Sequence, residues 1–147
     1  MIIETRHFGE IEVGLEEVIH FPDGIPAFEE NKKYVIIENP DKDVPFHWLQ
    51  SIEEPSLAFV IINPFLFMED YDFQIPKSIL EKLEIESPEI VSVHTIVVVP
   101  DDINKMTANL KAPIIINTKN KKGKQIVLDD TKYQTKHYII DEIKKTG

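Results

Sequence analysis

Val91-Ser-Val-His-Thr-Ile-Val-Val-Val99, closed by Pro100-Asp-Asp102, is the longest β-branched run in the chain. Branching at Cβ restricts a side chain against a helical turn and suits it to the pleat of a strand. The proline and two aspartates then end it with turn chemistry. Downstream, Ile114–Asn117 and Gln125–Leu128 read as a hairpin across a tip holding Lys119, Lys121, Lys122 and Lys124 around Gly123. Upstream lie Leu57–Ile62, Phe46–Ser51 and Tyr34–Glu38, each bounded by proline, asparagine or aspartate. Glu10-Ile-Glu-Val13 alternates strictly, with Ile11 and Val13 on one face, and Gly9 ends its turn from a first strand at Ile2–Thr5. Strands at this short spacing predict a mainly β, single-domain fold, a small barrel or barrel-like sandwich of antiparallel strands.

One short helix interrupts the pattern. Pro76-Lys-Ser-Ile-Leu-Glu-Lys-Leu83 has proline near the first turn and Ile79, Leu80 and Leu83 on one side. At under three turns it needs a sheet to dock on. The expected division is a β domain over residues 1–137 and a tail over 138–147. That tail is a candidate short helix with Ile139, Ile140 and Ile143 on one side.

Size and charge bound the function. A chain of 147 residues with 42% apolar side chains is long enough to bury a real core without staples. No apolar run approaches the ~20 residues of a membrane-spanning helix, and the first residues lack the pattern of a signal peptide. There is no cysteine, which removes disulfides and thiol chemistry; a cytoplasmic protein fits. Acids outnumber bases 26 to 16, for a net charge of −10. Nucleic-acid binding rests on Lys and Arg neutralising phosphates, so direct contact with nucleic acid is not expected, and the lysine tip reads as a solvated turn. The acidic excess suits a basic protein partner instead.

No catalytic constellation emerges. The five histidines (7, 20, 47, 94 and 137) are scattered and form no spaced pair for a metal. The acid pairs Glu53-Glu54, Glu69-Asp70, Asp101-Asp102 and Asp129-Asp130 show no two carboxylates set in unlike environments. Phosphate loops, nucleophile elbows and His-Glu-x-x-His are absent, and no cofactor is implied. The aromatic load from Phe46 to Phe73 reads mostly as core, Trp48 included. Within it Asn63-Pro-Phe-Leu-Phe-Met-Glu-Asp-Tyr-Asp72 stands out as an apolar loop beside acids, the composition of an interface centre with a charged rim.

Four segments in order, Phe21-Pro-Asp-Gly-Ile-Pro-Ala-Phe-Glu29, Pro45-Phe-His-Trp-Leu-Gln-Ser51, Asn109-Leu-Lys-Ala-Pro-Ile-Ile-Ile-Asn117 and Lys121-Lys-Gly-Lys-Gln-Ile-Val-Leu-Asp-Asp130, resemble the FliW family of bacterial flagellar assembly factors. The likeness runs from about Ile2 to about His137. It implies a small cytoplasmic protein that acts by binding, with flagellin and the translational repressor CsrA as partners and antagonism of CsrA away from its RNA surface. One departure is Ala27, where the family pattern usually has glycine. A site that needs positive φ would strain alanine. Prolines, glycines and aromatics of the motifs read as structural. The residues expected to serve partners are Gln50, Glu53, Glu54, Leu66, Phe67, Glu69, Asp70, Asp72, Asn109 and Asn117. Leu66 and Phe67 are expected to face outward for a helix-in-groove contact with flagellin. Two alternatives stay open: an acidic mimic that covers the RNA surface of CsrA directly, and a small hydrolase.

Overall fold

The structure, a computed structural model, describes residues 1–130 and 132–146, with side chains to residue 142. In chain order the strands are β1 (Ile2–Thr5), β2 (Gly9–Glu12), β3 (Ile19–His20), β4 (Lys33–Ile37), β5 (His47–Ser51), β6 (Ala58–Ile62), β7 (Val91–Val98), β8 (Thr107–Ala108), β9 (Ile114–Asn117), β10 (Gly123–Gln125) and β11 (His137–Tyr138). Helix α1 (Lys77–Lys82) lies between β6 and β7, and α2 (Ile139–Thr146) follows β11. The fold is mainly antiparallel β, as the strand spacing predicts.

The main sheet runs β10-β9-β7-β6-β5-β4-β3, while β1 and β2 form a separate hairpin. The two ends of the path meet at one parallel bridge, His20 with Lys122, where the His20 amide donates to the Lys121 carbonyl at 2.8 Å. The sheet therefore curls toward a barrel without closing into one. Strand β7 is long enough to serve three neighbours. Its C-terminal half carries β6 on one edge and β8 on the other, and Val91–His94 pair with β9. Between the pairs Val97–Ala108 and His94–Ile114 the partner chain has three residues more than β7. That surplus is the Asn109–Pro113 excursion. It drives Leu110 into the core, and the Asn109 Oδ1 accepts from the Ala112 amide at 3.1 Å to close the bend.

Both faces of the sheet are covered, which is why β9 is apolar at consecutive positions. On the concave side Phe21, Tyr34, Leu49, Ile61, Ile114 and Ile116 pack together. On the other side Ile115 joins Ile62, Phe67, Tyr71, Leu83, Leu110 and Tyr133. The β1–β2 hairpin covers a third patch through Ile3, Val13, Val18 and Val35.

Several expectations need correction. Among the described residues there are two α-helices, at the two places expected, and four short 3₁₀ turns that were not expected. Lys77–Lys82 matches the expected position of the first. The second matches the tail, though the third apolar residue expected on its face, Ile143, lies outside the described side chains. The return strand of the lysine hairpin is Gly123–Gln125, earlier than Gln125–Leu128. Lys121 takes φ 60, so the turn closes sooner and the ladder resumes with Gly123 opposite Ile116. Ile126 and Leu128 still bury, but their amides donate to Pro113 and Lys111 carbonyls. Trp48 is half-buried, not core: it sits on the outer sheet face, edge-on to Phe8 with ring centres 5.0 Å apart. The three two-residue strands were not expected, since two residues carry no period.

Candidate functional site

The loop after β6 stands between two hollows of the surface. Asn63 caps a 3₁₀ turn over Pro64–Leu66, its Oδ1 accepting from the Phe65 amide at 3.0 Å. The turn throws Phe65 and Leu66 outward and Phe67 inward: Leu66 is 62% exposed and Phe67 only 2%. Leu66 thus faces solvent as expected, whereas Phe67 belongs to the core and offers no contact surface. The loop is then pinned by two tyrosines. The Tyr71 hydroxyl donates to the Leu110 carbonyl at 2.6 Å, and the Asp72 amide donates to the Tyr133 hydroxyl at 3.0 Å. The two rings meet edge to face at 4.7 Å. Burial, with Tyr133 beside it, raises the Tyr71 phenol well above its ordinary range.

Past this pinned segment opens a groove of about 670 Å³, lined among others by Phe65, Phe73, Ile75, Leu80, Ile85, Val91 and Val93. Asp72 and Glu86 stand on its rim. Helix α1 forms one wall because its apolar residues divide. Leu83 is fully buried and Ile79 packs against the same core, while Leu80 is left for the groove. On the far side of the same loop a smaller hollow of about 410 Å³ is lined by Leu66, Asn63, His47, His94 and the 38–45 loop. His94 is pushed down to about 4, chiefly by burial and also by the nearby His47, so its ring is neutral at neutral pH. Among the described residues no group of three or more His, Asp or Glu side chains could hold a metal ion. None of their helices is long and apolar enough to cross a membrane.

The ten residues singled out in the sequence do not converge. Glu69, Asp70 and Asp72 share the loop beside the groove, all exposed. Glu53 and Glu54 lie at the β5–β6 turn. There the Glu53 carboxylate accepts from the Lys32 and Lys33 amides at 2.6 and 3.0 Å. The Glu54 carboxylate is held below its usual range by the Ser56 hydroxyl and amide. Gln50 is not free for a partner. It is 1% exposed, its Nε2 donates to the Ser51, Pro55 and Leu57 carbonyls, and its Oε1 accepts from the Arg6 amide. Asn117 is likewise 1% exposed; its Nδ2 donates to the Leu83 and Glu84 carbonyls and its Oδ1 accepts from the Lys119 and Asn120 amides. It ties the end of α1 to the lysine turn. Asn109 is occupied in the β8–β9 bend. An amide reads in sequence as free because its carbonyl partners are main chain and carry no residue signature.

Other motif residues are equally structural. Asp23 joins Lys82 of α1 to Lys124 of β10, and these lysines hold its carboxyl down at about 2. A Cβ at Gly123 would stand 2.9 Å from the Phe21 ring, so the strand passes that ring only as glycine. Ala27 takes φ 75, the positive value that strains alanine.

A frame fixed at so many points identifies itself when set against known proteins. The model of the FliW protein family matches residues 2–139. The chain belongs to the FliW family. A flagellar assembly factor FliW of Alkaliphilus metalliredigens (strain QYMF) is 62% identical over 145 residues, covering 99% of this chain and 90% of the relative. That of Ruminiclostridium cellulolyticum is 46% identical over 145 residues, 99% and 98% of the two chains. A crystal structure of the flagellar assembly factor FliW superposes with a TM-score of 0.89 at 37% identity, covering 95% of this chain and 96% of that one.

The sequence reading missed the groove floor: Ile75, Leu80, Ile85, Val91 and Val93. Its signal was present in the alternation of Val91 and Val93 around Ser92, and in a helix with more apolar residues than one buried face needs.

Proposed function

We propose that this chain is a cytoplasmic flagellar assembly factor that works by binding, without turnover. It binds flagellin and the translational repressor CsrA one at a time. Flagellin awaiting export occupies it and leaves CsrA free to repress; export frees it to capture CsrA. The observation that carries this reading is the match to FliW over residues 2–139. A charge of −10 is in keeping with a basic partner such as an RNA-binding repressor.

Titrating one partner against a preformed complex of the other tests the switch. Linkage requires that flagellin weaken CsrA binding by the factor with which CsrA weakens flagellin binding. A ternary complex with both affinities unchanged would refute the exchange. RNA added at saturating protein separates modes: a mimic of RNA is displaced, an antagonist acting elsewhere on CsrA is not.

A further inference from the structure

We infer that the groove between the 65–75 loop, α1 and β7 receives an amphipathic helix whose apolar stripe is flanked by lysine or arginine. This deepens the proposed function and rests on it. The large groove does not end at α1. A second hollow of about 450 Å³ shares Leu80, Ile85 and Glu86 with it and extends over the outer side of the helix. The polar groups of these hollows are placed wrongly for a small molecule. Small-ligand sites aim a few polar groups at the floor. Here the lining is mostly hydrocarbon, with Gln74 and Ser87 its uncharged polar side chains, and the carboxylates of Asp72, Glu81 and Glu86 stand exposed around the edge.

The charge around the edge decides the occupant. Four acids (Asp72, Glu81, Glu84 and Glu86) line the joined hollows against one base, Lys77. Glu84 is already paired with Lys122 at 2.8 Å. Asp72, Glu81 and Glu86 form no ion pair among the described residues. A nucleic acid or an anionic lipid surface would meet like charge there. An amphipathic helix with apolar residues at i, i+3/i+4 and i+7 would lay them along the floor and set its cations against the three free carboxylates. Phe65, 39% exposed at the mouth, would supply an aromatic anchor.

The test uses two labelled helical peptides of ~18 residues, identical in their leucine stripe, one flanked by lysines and its twin by glutamates. Anisotropy is read on the full chain, on Asp72→Lys/Glu86→Lys, and on Glu29→Lys/Glu30→Lys, which changes net charge equally at exposed sites elsewhere. The lysine peptide is expected to bind at least about tenfold tighter than its twin at low salt. That preference should vanish in the groove variant and persist in the control. No binding of the lysine peptide, no preference between twins, or equal loss in both variants would overturn the assignment. Intact flagellin and CsrA are measured alongside on the unaltered chain. If they bind while the peptides behave against expectation, the groove is wrong and the family role stands. If neither binds, the family role falls.

Discussion

Ala27→Gly should make the protein more stable, although it removes a methyl group. Ala27 has φ 75 in the loop between Gly24 and Glu29, where Ile25 and Phe28 form an isolated bridge. In that left-handed region the Cβ of an L-residue crowds the following carbonyl, at a cost of about 1–2 kcal/mol. Glycine avoids the clash but gives up about 0.5–1 kcal/mol of backbone freedom. The methyl group is exposed, so little burial is lost with it. The net gain is about 0.5–1 kcal/mol, which for a domain near this size raises Tm by roughly 1–4 °C. The measurement is urea unfolding followed by the fluorescence of Trp48, the single tryptophan, with the m-value checked for constancy. Gly24→Ala supplies the opposite sign: φ is +69 and an added Cβ would sit 2.5 Å from the Glu29 Cα. That variant should be destabilised by more than Ala27→Gly gains. A glycine at 27 that leaves the midpoint unchanged or lowers it would show that the loop relaxes and stores no strain.

Two further outcomes follow from buried polar groups. The Tyr34 hydroxyl is buried with no hydrogen-bond partner among the described residues, and burial, with Glu53 nearby, pushes its phenol up to about 12. Tyr34→Phe should therefore be neutral or stabilising by about 1 kcal/mol; a loss of that size in thermal unfolding would mean the hydroxyl is satisfied. His94, held down to about 4 from 6.5, stays neutral in the fold but takes up a proton on unfolding. Its contribution is complete above pH 6.5 and is lost as pH falls toward 4, up to about 3 kcal/mol. Denaturant midpoints for His94→Gln should fall less steeply than the parent's over that window, and parallel slopes would count against a half-buried neutral imidazole.

The sequence carried the fold because its long strands are β-branched and bounded by turn residues, and Val91–Val98 and Ile114–Asn117 fell close to where that chemistry ends them. It failed where backbone geometry depends on distant contacts. The return of the lysine hairpin was set by Asn117 holding the turn amides and by φ 60 at Lys121, neither visible in residue type. Trp48 sits in an alternating strand, on the face opposite Leu49, where His7 and Phe8 of the β1–β2 turn lie against its ring and leave it half-buried. Phe65, Leu66 and Phe67 read alike in sequence; a single 3₁₀ turn assigns two to solvent and one to the core. The candidate groove was illegible for a related reason. Its floor comes from a loop, a helix and a strand, each using apolar residues that look like ordinary core.

That division governs how binding has to be probed. Family motifs stand out in a sequence where only one residue type fits, and those positions serve the frame: Gly123 beneath Phe21, Gln50 and Asn117 bonded to main chain, Asp23 between two lysines. Changing any of them moves stability first. Lost partner binding in a Gln50 or Asn117 variant would therefore report unfolding as readily as a lost contact, since removing a buried amide leaves its carbonyl partners unsatisfied. The residues able to discriminate partners are those the frame does not use. Asp72, Glu81 and Glu86 are exposed, unpaired among the described residues, and set around hydrocarbon. Their charges can be reversed with little effect on the core, so a change in affinity there reads as recognition.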